Sequence, residues 1–144
     1  MSTEQNKAIV RCYFEEVYNQ HDDTLIHELF APGFRDLSEP DHHGLHGPAL
    51  AQHVVDYERS VFPDIHFTVE DMLAEGDDVV VRLTIRGTHR GTFRGIPPTG
   101  RRVTVTGIER LRLTDGKIAQ VVWHYYDRLA MLQQMDAIPP ARIS

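Results

Sequence analysis

The sequence has a single cysteine, Cys12, among 144 residues, so no disulfide can form within the chain. Cys12 lies among apolar neighbours in a segment with helical periodicity, which is typical of a small core residue rather than a nucleophile. No apolar run approaches the length needed to span a bilayer, and the first twenty residues are charged and amphipathic. We therefore expect a cytoplasmic protein without redox chemistry or membrane insertion.

Positive charge is scarce as well, because the chain has 15 lysines and arginines but 21 aspartates and glutamates. Its formal net charge is -6. An acidic chain has no general affinity for nucleic acid or for anionic membranes. Repeats, linkers and low-complexity tracts are also absent, so residues 1–144 are most simply one domain. These observations favour a small molecule as the partner.

The first part of the chain has helical patterns. Ser2 to Gln5 has the spacing of a capping box, and a broad apolar stripe follows it, which predicts a helix to about Asn19. A short second helix is predicted to end at Phe30, before Pro32-Gly33, and a third to run from Pro48 to Phe62. His53 lies on the apolar face of this third helix, where a packed core histidine is more common than a catalyst.

From Ile65 onward the pattern changes to strands with alternating apolar residues. The predicted strands are Ile65 to Ala74, Val79 to His89, Val103 to Leu113 and Lys117 to Asp127. Helices followed by a run of antiparallel strands predict an α+β fold, with a curved antiparallel sheet wrapped around the helices. Gly107 is a candidate for the point at which the sheet bends.

The last predicted strand ends in a carboxylate, Asp127. Strict alternation places Asp127 on the same face as Val121, Trp123 and Tyr125. If the aromatic rings line a cavity, Asp127 lines it too, and desolvation would make it a usable base near neutral pH. The alternative is that Asp127 caps the following segment or pairs with Arg128 in solvent.

A second acid, Glu109, falls in the apolar row of the preceding strand. Two acids that share a cavity tend to separate into one base and one hydrogen-bond donor, although Glu109 could instead brace the core through an arginine or a histidine. The loop motif His42-His43-x-x-His46 has histidines but no regular element to fix ligand geometry, so we expect no metal site.

Two segments, HRGTFRGIPPTGRRV from His89 to Val103 and DGKIAQVVWHYYDRLAMLQQMDAIP from Asp115 to Pro139, resemble the SnoaL-like polyketide cyclase family. FAPGF, from Phe30 to Phe34, extends this resemblance, which covers nearly the whole chain. The resemblance implies a cone of curved antiparallel sheet over three N-terminal helices, with a deep hydrophobic pocket. It also implies a homo-oligomer, a dimer or tetramer, built through the outer face of the sheet.

In this family the aspartate of a Trp-x-x-x-Asp motif, matched here by Trp123 and Asp127, acts as general acid and base. The reaction is an intramolecular aldol condensation that closes a ring of an aromatic polyketide ester, and it uses no metal or organic cofactor. The resemblance therefore implies Asp127 as the catalytic residue, and we predict that Glu109 assists it. The residues predicted to bind or polarise a small hydrophobic or aromatic substrate are Trp123, Tyr125, His53, Tyr13, Phe34 and Phe67.

The sequence does not identify the substrate, because Val121, Val122 and Met135-Asp136 depart from the family's usual residues. Two alternatives use the same pocket. One is a non-catalytic small-molecule binder, and the other is a related hydrolase, dehydratase, isomerase or hydroxylase-like enzyme.

Overall fold

Helices occupy most of the first half of the chain and strands most of the second half, in a computed structural model that describes residues 2–39 and 42–139. The helices are α1 (Thr3–Cys12), α2 (Ile26–Leu29), α3 (Gly47–Val61) and α4 (Arg128–Gln134). A π-helical turn, Tyr13–Tyr18, continues α1, and a 3-10 turn, Asp23–Leu25, precedes α2. The strands are β1 (Phe30–Asp36), β2 (His66–Glu75), β3 (Asp78–Thr88), β4 (Arg102–Thr114) and β5 (Lys117–Tyr126).

The five strands form one curved, unclosed sheet in the order β1-β5-β4-β3-β2. Strands β2 to β5 pair antiparallel with their neighbours, and the inner face of the sheet packs against the helices. The predicted α+β architecture is therefore confirmed. Strand β1 differs from the expectation, because it lies parallel to β5 at the edge of the sheet. Alternation of side chains does not reveal the direction in which two strands pair.

The first helix begins as predicted. The Ser2 hydroxyl accepts a hydrogen bond from the Gln5 amide at 3.1 Å, and the Gln5 side chain accepts one from the Ser2 amide at 2.9 Å. Its end is a π-helical turn, in which the Asn19 amide bonds to the Phe14 carbonyl. Residues five apart then share a face, so Tyr13 and Tyr18 both point inward and the Tyr13 hydroxyl donates to the Tyr18 hydroxyl at 3.3 Å.

Helix α3 is held against this turn by Arg59. The Arg59 guanidinium donates to both carboxylate oxygens of Asp23, at 2.8 and 2.9 Å, and to the Val17 carbonyl at 2.7 Å. A guanidinium with several donors in one plane fixes orientation as well as distance. This contact sets the position of the neighbouring residue, Glu58, on the inner face of α3.

Helix α4 lies beside β4. The Gln134 side chain bonds to both backbone groups of Thr104, at 2.7 and 2.9 Å, and Met135 is fully buried. Two residues of α4, Arg128 and Met131, line a cavity between the sheet and α3. Within residues 2–39 and 42–139, every helix is too short or too polar to cross a membrane.

Candidate active site

A cavity of about 400 Å³ lies between the inner face of the sheet and α3. That volume is in the range of pockets that hold drug-sized ligands. The apolar part of its wall consists of Val54, Val61, Phe62, Ile65, Phe67, Ile85, Phe93 and Met131. Exposed residues mark its open end, and these are His43, His53, Tyr57, Arg94 and Arg128.

A polar recess of about 30 Å³ shares the wall of this cavity at Glu58, His124 and Tyr126. The recess has room for about one water or one oxygen atom of a ligand. Glu109 lies at the recess and is 5% exposed. The polar groups of the site therefore converge next to an apolar cavity, which is the usual arrangement of a small-molecule site.

Two bulges in β5 decide which side chains face the cavity. Leu113 pairs with Ile118 and Leu111 pairs with Val121, but Arg110 pairs with Trp123, so Ala119 and Val122 are extra residues. Each extra residue shifts the alternation of side chains by one position. Beyond the second bulge, His124 and Tyr126 face inward.

The prediction that Trp123, Tyr125 and Asp127 line the cavity is wrong, because it assumed unbroken alternation from Val121, whereas Val122 is an extra residue. Trp123 and Tyr125 lie on the outer face, where their rings pack on each other at 5.7 Å and Tyr125 is 68% exposed. Asp127 is exposed, and its carboxylate accepts a hydrogen bond from the Ala130 amide at 3.0 Å as the N-cap of α4. The alternative interpretation of Asp127, a helix cap, is the one the structure shows.

Glu109 faces inward as predicted, and its partner is Tyr126 rather than Asp127. The Tyr126 hydroxyl donates a hydrogen bond to Glu109 Oε2. Gly107, opposite Tyr126 in the ladder, makes this contact possible, because a Cβ there would lie 2.3 Å from the Tyr126 ring. A side chain at position 107 would push the ring away from Glu109.

The charge state of Glu109 is set by its surroundings. Burial raises its pKa to about 8, and the nearby carboxylates Glu58 and Asp36 add to the rise, whereas the hydrogen bond from Tyr126 opposes it. Burial raises the pKa of Tyr126 well above its ordinary value, and the nearby acids Glu109 and Glu58 add to the rise. At neutral pH the pair therefore holds two protons.

Glu58 is a third inward polar group, and it lies on α3. Burial raises its pKa to about 7, with Glu39 and Asp36 acting in the same direction and the Tyr18 hydroxyl acting against them. Its Oε2 atom is buried and has no hydrogen-bond partner among the residues that the structure describes. A buried, unpartnered carboxyl oxygen beside a cavity is a candidate for contact with a ligand.

The remaining predicted residues divide between the two parts of the site. Tyr13 and Phe34 line the recess, and Phe67 lines both the recess and the cavity. His53 lies at the open end, with its ring 6.1 Å from that of His43. Of residues 2–39 and 42–139, no three His, Cys, Asp or Glu side chains are grouped so that they could hold a metal ion.

Sequence reasoning missed Glu58, His124 and Tyr126. Glu58 follows Val54 by four residues, and this helical spacing on the inward face could have identified it. The signal for the other two was weaker. Ile118 and Val121 are both apolar and lie three residues apart, whereas strict alternation would place two such residues on opposite faces of the strand.

The chain is similar in sequence and in structure to a known protein family. The sequence model of the SnoaL-like polyketide cyclases matches residues 8–135. Nogalonic acid methyl ester cyclase of Streptomyces nogalater is 35% identical over 78 residues, which are 53% of this chain and 58% of that relative. The match thus spans little more than half the length of either protein.

Two solved structures extend the comparison to nearly the whole fold. TsrD from Streptomyces laurentii has a TM-score of 0.84 at 26% identity, over 96% of this chain and 99% of TsrD. IdmH from Streptomyces antibioticus, a proposed polyketide cyclase, has a TM-score of 0.76 at 30% identity, over 92% of this chain and 99% of IdmH. With its α+β fold, its cavity and the family match over most of its length, the chain belongs to the SnoaL-like polyketide cyclase family.

Proposed function

We propose that this protein closes a ring in a small polyketide-type ester by acid and base chemistry of its own side chains, without a metal or organic cofactor. The reaction is an intramolecular aldol condensation. Family membership and a relative that is named as a methyl ester cyclase support this class of substrate. An apolar cavity of about 400 Å³ beside a polar recess is of a size and character suited to a flat, partly aromatic molecule with carbonyl groups.

The observation that carries the proposal is the hydrogen-bonded pair of Tyr126 and Glu109 at the recess. The pair holds two protons at neutral pH and shares one of them, so one O–H remains to donate to a third group. An enolate oxygen that enters the recess would receive this hydrogen bond. Donors that are already in place where negative charge develops usually make the largest contribution to catalysis.

Glu58 supplies the proton that completes the reaction. Ring closure converts the attacked carbonyl into an alkoxide, which must be protonated. With a pKa of about 7, Glu58 is protonated in a large fraction of molecules near neutral pH, and its unpartnered Oε2 is beside the cavity. We assign Glu58 the role of the acid that protonates the new hydroxyl group.

The test is incubation of the purified protein with a panel of polyketide methyl esters that contain enolisable ketones, followed by mass spectrometry and chromatography against cyclised standards. We expect a ring-closed isomer or its dehydrated form. The Tyr126→Phe variant, which lacks the hydroxyl, should lower kcat about 100-fold or more. Binding of the esters without conversion by the wild-type protein would refute the proposal and favour a non-catalytic binder.

Tyr125→Phe is a matched control, since it removes the same hydroxyl from the next residue. Tyr125 lies on the outer face of the sheet and is 68% exposed. We expect its kcat within about threefold of the wild type, because surface changes of this kind rarely alter a site on the other face. Equal losses in the two variants would show that the Tyr126 effect is not specific to the recess.

We also propose that the chain forms a homo-oligomer, a dimer or tetramer, through the outer face of the sheet. Leu73 and Tyr125 lie on this face and are 69% and 68% exposed, so it presents large apolar side chains to solvent. Light scattering coupled to size-exclusion chromatography measures the molar mass directly. A mass of one chain at micromolar concentration would contradict this part of the proposal.

A further inference from the structure

We infer that His124 is the general base of this site, and that Ser38 and Asp36 hold its imidazole in the tautomer that accepts a proton from the substrate. The inference rests on the proposed function, because it supplies the proton acceptor that ring closure requires. It uses a group of side chains to which the sequence assigned no role.

The position of His124 is suitable for this role. It lies directly opposite Glu109 in the β4–β5 ladder, and it lines both the larger cavity and the recess. Its ring is 5.1 Å from the ring of Tyr126, centre to centre, and its side chain is 19% exposed. A substrate whose oxygen contacts the Tyr126–Glu109 pair would have its adjacent carbon near this imidazole.

The hydrogen bonds around Ser38 fix the tautomer. Asp36 is buried at the end of β1, and its Oδ1 atom accepts hydrogen bonds from the Ser38 amide at 2.9 Å and from the Ser38 hydroxyl. A carboxylate only accepts, so the single hydroxyl proton of Ser38 points at Asp36. The Ser38 oxygen must then accept from His124 Nδ1, 3.1 Å away. This leaves Nε2 of His124 with a free lone pair.

The charges around the imidazole also favour its neutral form. Burial lowers the pKa of His124, and Arg128 and His42 act in the same direction, against the nearby acids Asp36 and Glu39. Glu39 Oε1 lies 3.9 Å from Nε2, which is beyond hydrogen-bond distance. Near neutral pH the site therefore combines an unprotonated imidazole with protonated carboxyl groups at Glu109 and, in part, Glu58.

The resulting sequence of steps is balanced in protons and electrons. His124 Nε2 accepts the proton from the carbon next to a ketone, and the C–H electron pair forms an enolate whose oxygen is held by the Tyr126–Glu109 pair. The enolate carbon then bonds to the second carbonyl carbon, and the protonated Glu58 carboxyl gives its proton to the alkoxide. Finally, the imidazolium returns a proton to the Glu58 carboxylate through solvent at the open end of the cavity.

Proton abstraction can be measured apart from ring closure. The probe is an aromatic methyl ketone deuterated at the carbon next to its carbonyl, which can lose deuterium to water but cannot cyclise. We expect the wild-type protein to accelerate this loss and His124→Asn to lower its kcat about 100-fold or more, with KM changed only a few-fold. The control is His66→Asn, which changes an exposed histidine outside the cavity and should leave the rate unchanged.

Two further variants separate a chemical role from a structural one. His124→Ala leaves space for a free base, so added imidazole should restore deuterium loss in proportion to its unprotonated concentration. Ser38→Ala removes the group that fixes the tautomer. It should lower kcat and move the acidic limb of the pH profile, an effect that a change in packing alone does not produce.

The outcomes separate the assignment of His124 as the base from the proposed ring closure. A folded His124→Asn variant that keeps the wild-type rate and acidic limb would overturn the assignment, even if the wild type cyclises polyketide esters. Deuterium loss that depends on His124 without any cyclised product would support the base and refute the proposed reaction. Absence of both activities in the wild type would overturn both.

Discussion

The buried carboxyl of Glu109 makes a quantitative prediction about stability. In the unfolded chain this group titrates near 4.5, and in the folded protein its pKa is about 8. Between these two values the group is ionised only in the unfolded state, so the unfolded state is favoured as pH rises. The stabilising contribution is fully present below about 4.5 and is lost as the pH rises through about 8.

The size of the effect follows from the same two values. Each pKa unit corresponds to about 1.4 kcal/mol, so the difference between 4.5 and about 8 amounts to roughly 5 kcal/mol. Glu58, whose pKa is about 7, adds roughly 3 kcal/mol with the same sign. From pH 5 to 7 both groups contribute, and from pH 7 to 8 Glu109 contributes alone.

The assay is urea unfolding of the wild type and of Glu109→Gln at pH values from 5 to 9. Glutamine keeps the size of the side chain and can still accept the hydrogen bond from Tyr126, but it does not titrate. We expect the difference in free energy of unfolding, variant minus wild type, to increase by about 1.4 kcal/mol per pH unit between pH 5 and 8. Histidines and other groups titrate in both proteins, so their contributions cancel in this difference.

Glu75→Gln is the control for the loss of one negative charge, because Glu75 is exposed at the end of β2. Its unfolding curve should follow that of the wild type at every pH. Parallel curves for Glu109→Gln and the wild type would refute the reasoning, since they would show that Glu109 titrates alike in the folded and unfolded states.

Two further predictions concern Asp127 and Gly91. Asp127→Asn should leave kcat within about threefold and the free energy of unfolding within about 0.5 kcal/mol, because Asn is an equally good N-cap and the residue lies outside the cavity. A folded but inactive variant would restore the catalytic role that the Trp-x-x-x-Asp motif suggests. Gly91→Ala should destabilise the protein by about 2 kcal/mol, measured by urea unfolding, because its Cβ would lie 1.8 Å from the Ser60 carbonyl oxygen. Gly33→Ala, where nothing lies within 4 Å, is the matched control and should change stability by less than about 1 kcal/mol.

Periodicity alone predicted much of the fold. The capping box at Ser2, the helix that ends near Phe62 and the strands on either side of Asp115-Gly116 all follow from local patterns, and the structure contains each of them. The inward direction of Glu109 was also predictable, since β4 pairs with β3 without a bulge and keeps its alternation throughout. The parallel pairing of β1 with β5 was not predictable, because the two strands are far apart in sequence and alternation does not reveal the direction of pairing.

The candidate site was less predictable, and β5 shows why. Its two bulges arise from pairing with β4, and each reverses the side of the sheet to which all later residues point. Unbroken alternation counted from the inward residue Val121 predicts Trp123, Tyr125 and Asp127, but the bulge at Val122 follows Val121 directly, so the paired strand presents His124 and Tyr126 to the cavity. The predicted residues were displaced by one position because the bulge depends on how β5 pairs with β4. The sequence of β5 alone does not reveal this pairing.

The sequence by itself determined the α+β class, the family and the presence of an inward carboxylate at Glu109, because these depend on local periodicity and on motifs contiguous in the chain. Only the tertiary structure decided the composition of the site. Glu58 on α3, Glu109 on β4, His124 on β5 and Asp36 on β1 are far apart in sequence, and they meet because the curved sheet and α3 enclose one cavity. The proton affinities of Glu58, Glu109 and His124 were likewise a tertiary outcome, since burial, together with nearby charges, favours the protonated form of these two glutamates and the neutral form of the imidazole.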